Sequence, residues 1–176
     1  MICVDYIKRQ FLEYIKTDPN KYASYLKKKG CNIGHDVNII DGSIDMAFLS
    51  LISIGNHVTL TGTTILAHDA STQIPLGRTK IVRVTIGNNV FAGSGTIILP
   101  GTVIGNNVII GAGTVVRGNV PGDSVVMGNP WMKICSTDEF ISKYTNQIRD
   151  CKEFEFQTQV DLVRNVTFHG GVGWVK

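Results

Sequence analysis

Four histidines and four cysteines are the side chains of this sequence best suited to acid–base, nucleophilic or metal chemistry. Cys3, Cys31, Cys135 and Cys151 form no CxxC pair and no framework spacing. They read as reduced thiols of a cytoplasmic protein. Among the histidines, His68 stands apart. It lies in TILAHDASTQIPLGRTK, residues 64–80, where an otherwise metrical sequence breaks off. An imidazole exchanges a proton near neutral pH. A working base at 68 and an idle loop histidine are both open on that ground alone. Asp69 follows directly and is suited to orient the imidazole, to bind a substrate or to cap a turn. A histidine zinc centre would need several histidines at ligand spacing, and no H-x4-H pair exists, so no metal is expected.

The composition limits what surrounds such a site. At 176 residues, with 43% apolar and 18% charged residues, the chain suits one globular domain. Its net charge of +3 favours a small anionic ligand and is too weak and scattered to argue for nucleic acid. The opening MICVDYIKRQFLEYIK carries charges where a signal peptide needs an apolar core. No apolar run approaches the roughly 20 residues that span a bilayer. The expectation is a cytoplasmic protein with neither membrane nor nucleic-acid partner.

The element that must position His68 is a repeat. Cut from Ile86 in sixes, the chain reads IGNNVF, AGSGTI, ILPGTV, IGNNVI, IGAGTV, VRGNVP. The first column, Ile86, Ala92, Ile98, Ile104, Ile110 and Val116, is apolar throughout. The fourth, Asn89, Gly95, Gly101, Asn107, Gly113 and Asn119, holds only the two residues that most readily turn left-handed. The fifth is β-branched in every hexad, which suits extended backbone. Six residues at about 100° each do not return to one helix face, so a helix is excluded. The unit is a short strand and a corner, coiled and stacked on itself.

The rhythm extends upstream with phase breaks, from Ile33-Gly34 and from Ile54-Gly55. Ile54 and Ile86 are 32 apart, not a multiple of six, so an inserted loop is expected at 68–83. His35 and His57 fall in turn columns and should face water. Residues 1–30 show helical spacing around a break at Asp18-Pro19-Asn20 and read as a helical cap ended by Gly30. Residues 31–134 are the coil. Residues 135–176 hold a helix over 137–151, with Thr137 as its N-cap, and a tail that no pattern places.

IGNNV, IGAGTVV and the following GNP resemble the hexapeptide-repeat acyltransferases, of the kind that acetylate maltose, galactosides and polysaccharides. The resemblance implies an all-β solenoid, a left-handed parallel β-helix of triangular section with three hexads per coil. It implies transfer of an acetyl group from acetyl-CoA, with His68 matching the family's general base. Gly93 and Ser94 match the position beside the thioester carbonyl. Ala112 matches the place where the pantetheine arm lies on the coil edge. Arg117 and Lys133 match basic positions that meet coenzyme A phosphates. Asn38 and Asp45 lie where the family places acceptor-binding groups, with Asp69 and Arg78 as further acceptor candidates on the loop. Phe91 stands where relatives carry an aromatic residue, usually Trp. The family forms homotrimers with the site between neighbouring β-helices.

The reading is therefore a coenzyme A-dependent O-acetyltransferase acting on a sugar or polysaccharide-precursor hydroxyl. The insert supplies hydrogen-bonding groups, Thr72, Gln73, Arg78 and Lys80, rather than aromatics. A xenobiotic or serine acetyltransferase is the alternative within the fold, and a non-enzymatic scaffold the alternative outside it. About 30 residues before the coil are too few for the long helical domain usual in serine acetyltransferases.

Overall fold

A computed structural model describes residues 18–149 and the short strands at 168–169 and 172–173. The chain divides into two compact units at Thr137 and Asp138.

The first unit opens with α1 (Pro19–Lys28). Asp18 caps it through its carboxylate to the Lys21 N–H, and Pro19 takes the first helical position, where a missing N–H costs nothing. The Asp-Pro-Asn stretch read as a break is thus a helix start. The helix expected before it lies outside the described residues. Tyr22, Ala23 and Leu26 are buried against the end of the coil, and Gly30 turns the chain out at φ +104°.

The coil then runs through three strands per turn. The first turn is β1 (Asn32–Ile33), β2 (Val37–Ile40) and β3 (Ser43–Ile44). The second is β4 (Ile52–Ile54), β5 (Val58–Thr61) and β6 (Thr64–Ile65). An excursion follows, with β7 (His68–Asp69), α2 (Gln73–Leu76) and β8 (Lys80–Ile81). The third turn is β9 (Val84–Ile86), β10 (Val90–Ala92) and β11 (Ile97–Ile98). The fourth is β12 (Val103–Ile104), β13 (Val108–Ile110) and β14 (Val115–Val116). It closes with β15 (Asn119–Val120), β16 (Ser124–Gly128) and an antiparallel β17 (Trp131–Ser136).

Equivalent strands pair in parallel and form the three faces of a left-handed β-helix. Face one stacks Ile33, Ile54, Ile86, Ile104 and Val120 inward; face three stacks Ile44, Ile65, Ile98 and Val116. All are buried. Burial of each such aliphatic side chain contributes about 1.5–3 kcal/mol. The β-branched column also satisfies corners: the buried Thr96, Thr102 and Thr114 hydroxyls each donate to the carbonyl three residues back, at 2.6–2.7 Å. Stacked glycines let successive turns approach. A Cβ on Gly87 would lie 2.6 Å from the Gly105 carbonyl oxygen.

The turn column is left-handed as expected at Asn89, Gly95, Gly101, Asn107 and Gly113, but not at Asn119. Val103 pairs with Asn119 and Ile104 with Val120, a step of 16 rather than 18. The three-residue corner Leu99-Pro100-Gly101 becomes Arg117 alone in the next turn, so Gly118 takes the positive φ and Asn119 is a strand residue.

Thr137 is buried, and its hydroxyl donates to the Asn107 carbonyl at 2.6 Å. In the second unit, α3 (Thr137–Arg149) carries Phe140 and Tyr144 in ring contact at 5.1 Å. The tail contributes an antiparallel pair, β18 (Phe168–His169) and β19 (Val172–Gly173). Its remaining residues, including Cys151, and Cys3 at the other end, lie outside the described residues. Cys31 and Cys135 are free thiols. No described helix is long and apolar enough to cross a membrane.

Candidate active site

The corner leading from face three to face one changes length at every turn. It spans 45–51 in the first turn, 66–83 in the second, 99–102 in the third and 117–118 in the fourth. Because Ile44, Ile65, Ile98 and Val116 are in register, the residues after them, Asp45, Leu66, Leu99 and Arg117, stack at the corner's entry. A rigid strand stack thus fixes the base of a variable rim.

His68 opens the largest corner. β7 and β8 pair antiparallel, His68 opposite Ile81 and Asp69 opposite Lys80, and the Val82 N–H donates to the Ala67 carbonyl at 2.9 Å. These bonds clip the excursion shut at its base. Inside it, the Thr72 hydroxyl donates to the Arg78 carbonyl and the Thr79 hydroxyl to the Gln73 side chain.

The imidazole is held from the turn below. Asp45 Oδ2 lies 2.5 Å from His68 Nδ1 and accepts from the Ala67 N–H at 3.0 Å. The Asp45 side chain is 4% exposed, the His68 side chain 34%. A buried carboxylate needs such partners. With Nδ1 engaged by a carboxylate, Nε2 is the nitrogen left to receive a proton. Phe48, from the same first-turn corner, packs its ring 5.1 Å from the imidazole at 44°.

His68, Asp69, Lys80 and Arg117 line an open groove of about 500 Å³ with Leu66, Ala70, Leu99 and Pro100. Two predicted acceptor residues make bonds within the chain. Asp45, expected to meet the acceptor, grips the imidazole. Asp69, the neighbouring candidate for that grip, instead accepts from the Ser71 N–H at 2.9 Å. That N–H, then the Ser71 hydroxyl, holds the exposed Asp69 carboxyl below the usual carboxylate range, with Lys80 and His68 adding to it.

The remaining predicted residues lie elsewhere in one chain. Gly93 and Ser94 occupy the corner between faces two and three, beside Ala112 of the next turn. The Gly93 N–H donates to the Ile110 carbonyl at 2.9 Å, within the coil. Its glycine identity is explained by packing, since a Cβ there would lie 2.7 Å from the Ala112 nitrogen. Ser94 and Ala112 are exposed. Asn38 sits on β2 opposite Thr59, Arg78 is on the excursion and Lys133 on β17, the last two exposed. None of these lines the His68 groove.

Sequence reasoning missed Phe48, Leu99 and Pro100. One signal for Phe48 was present: Ile33 and Ile54 are 21 apart, three more than a full turn, so the first corner is enlarged as well.

Comparison with known proteins agrees with this architecture. The family pattern "Bacterial transferase hexapeptide (six repeats)" matches residues 83–118. Protein CapG of Staphylococcus aureus is 40% identical over 146 residues, covering 78% of this chain and 83% of that one. A maltose O-acetyltransferase of Clostridium difficile superposes with a TM-score of 0.51 at 25% identity, over 73% of this chain and 85% of that one. A galactoside acetyltransferase in complex with coenzyme A shares the fold, with a TM-score of 0.54 at 22% identity, over 77% and 82%.

A stacked β-helix with a histidine set on an enlarged corner is the architecture of an acyltransferase. The chain belongs to the hexapeptide-repeat acetyltransferase family.

Proposed function

We propose that this enzyme transfers an acetyl group from acetyl-CoA to a hydroxyl of a sugar or polysaccharide precursor, with His68 as general base. The observation that carries the reading is the His68 imidazole, gripped at Nδ1 by the buried Asp45 and facing an open groove. As the acceptor oxygen attacks the thioester carbonyl carbon, its proton passes to Nε2. The Asp45 carboxylate stabilises the imidazolium that forms and keeps the ring oriented. Collapse of the tetrahedral intermediate breaks the carbon–sulfur bond, and the proton leaves with the thiol of coenzyme A. The acetyl ester and free coenzyme A are the products.

Arg117, at the groove, is suited to a phosphate or to the carbonyl oxygen as charge develops on it. Gly93, Ser94, Ala112 and Lys133 remain donor-binding candidates, and Asn38, Asp69 and Arg78 acceptor candidates. In one chain the Ser94–Ala112 corner and the His68 corner are different edges of the prism. A homotrimer that sets one chain's Ser94 corner against its neighbour's His68 corner would complete the site. Ile74 and Leu76, 97% and 67% exposed on the excursion, suit such a contact. The likeness to a maltose O-acetyltransferase supports a saccharide acceptor. The cytoplasm, where acetyl-CoA is made, is the compartment that fits.

The test is thiol release from acetyl-CoA with a panel of neutral, amino and acidic sugars and nucleotide sugars. Acceptor-dependent release that His68→Ala abolishes supports the reading. No release with any acceptor and no calorimetric binding of coenzyme A would sink it.

A further inference from the structure

The corner between faces one and two carries two side-chain columns. The first is His35, Asn56, Asn88 and Asn106. Each asparagine oxygen accepts the backbone N–H of the residue one turn below: Asn56 from His35 at 3.0 Å, Asn88 from Asn56 at 2.8 Å, Asn106 from Asn88 at 2.7 Å. The second column is Asp36, His57, Asn89, Asn107 and Asp123, every one at positive φ. Here Asn89 donates to Asn107 at 2.9 Å and Asn107 to Asp123 at 2.8 Å. Amide side chains therefore link the turns along this corner.

At the first two turns the series changes chemistry. His35, Asp36 and His57 occupy adjoining slots. The two imidazole Nδ1 atoms approach the same carboxylate oxygen, Asp36 Oδ2, at 2.8 and 3.3 Å. The rings meet edge to face with centroids 4.8 Å apart. One ligand atom from each of the three residues falls within 4.8 Å of the others, the one such group among the described residues. The backbone at this corner is already satisfied, since the His35 N–H reaches Asn56 and the His57 N–H reaches the His35 carbonyl. Neither histidine side chain is spent on these backbone bonds. They are 65% and 56% exposed and Asp36 is 68% exposed, so solvent reaches all three and their rotamers can adjust.

We propose that His35, Asp36 and His57 bind a divalent transition metal, with zinc the best match, and that it clamps the first turn of the coil to the second. Two imidazole nitrogens and one carboxylate oxygen suit zinc, copper or nickel, whereas calcium and magnesium prefer oxygen ligands. Three protein ligands leave a fourth tetrahedral position for water. The corner is a different edge of the prism from the one that bears His68. The ion's role is therefore in holding the coil's first two turns together, not in the acyl transfer.

The column itself supplies conservative variants. His35→Asn and His57→Asn install the residue that the same columns carry at 56 and 89, so the coil keeps its corner. The probe is zinc chloride titrated into metal-free, full-length protein by calorimetry, with melting temperature followed in parallel. The wild type is expected to bind one zinc per chain and to melt higher with it. Each variant is expected to bind roughly tenfold more weakly or worse, and to lose the zinc-dependent rise in melting temperature. His68→Ala is expected to bind zinc like the wild type. Absence of saturable binding overturns the proposal. So does equal affinity in wild type and both variants, or loss of binding in His68→Ala, either of which would put the ion elsewhere.

Discussion

Asp45 and His68 are 23 residues apart in sequence and 2.5 Å apart in space, carboxylate Oδ2 to imidazole Nδ1. The stacking of Ile44 on Ile65 brings them together. The carboxylate comes from a strand end of one turn and the histidine from the first residue of the next turn's excursion. A base held this way needs no reorganisation when it takes its proton. Its loss should show in turnover. His68→Ala is expected to lower kcat by about 10²–10⁴-fold with the binding of coenzyme A retained. Asp45→Asn should lower kcat less, because the ring keeps a hydrogen-bond partner but loses the carboxylate that stabilises the imidazolium. Steady-state thiol release, with coenzyme A binding followed by calorimetry, checks both.

Phe48 supports the same ring from the side. Its contact with His68 at 5.1 Å limits how far the imidazole can swing out of the Asp45 hydrogen bond. Such an aromatic contact is worth about 0.5–1.5 kcal/mol, so Phe48→Ala is expected to lower kcat roughly two- to twelvefold. Phe48→Tyr, which keeps the ring, should recover most of that. A loss in KM for acetyl-CoA with kcat unchanged would contradict this role for Phe48.

The coil was readable from sequence because its columns repeat a physical demand. Apolar residues in the first column and Gly or Asn in the fourth recur from Ile86 to Val116, and the strands pair at that spacing. The reading slipped at Asn119 because VRGNVP satisfies either phase. Gly118 is as good a turn residue as Asn119, and Val120 fills an inward slot in both. His68 was visible as an interruption of the metre. Its partner was not. Asp69 is adjacent in sequence and chemically able, and only the enlarged first corner shows that Asp45 gets there first while Asp69 turns to Ser71. At Gly93 a repeat glycine and a donor-site glycine look alike in sequence, and the structure shows the packing demand: its N–H goes to the Ile110 carbonyl and a Cβ would meet the Ala112 nitrogen.

The glycine columns differ in what they tolerate. Gly87→Ala puts a Cβ 2.6 Å from the Gly105 oxygen and 2.7 Å from its carbonyl carbon, a backbone clash that side-chain motion cannot relieve. It is expected to cost about 1–3 kcal/mol or more. Gly113 is at φ +70°, a Cβ added there would meet nothing within 4 Å, and Asn107 shows that asparagine accepts such a corner. Gly113→Asn should stay within about 1 kcal/mol of wild type. Urea denaturation of the two variants side by side measures the contrast.

Cys31 carries a pH dependence whose sign follows from burial. Its thiol, 3% exposed at the end of the coil, donates to the Ile52 carbonyl. Burial pushes its pKa from 9.0 up to about 11. Below pH 9 both folded and unfolded chains hold the proton and the thiol adds no slope. Between pH 9 and 11 the unfolded chain releases it and the folded chain does not, so unfolding becomes progressively easier. The loss levels off above the folded value. At about 1.36 kcal/mol per unit it amounts to something on the order of 3 kcal/mol. Cys31→Ala should be less stable at neutral pH, from the lost packing, yet fall more gently between pH 9 and 11. Lysines and tyrosines titrate in the same window, so the quantity to read is the difference between the two urea midpoints as pH rises. A gap that does not narrow would mean that the thiol ionises in the folded chain as readily as in the unfolded one.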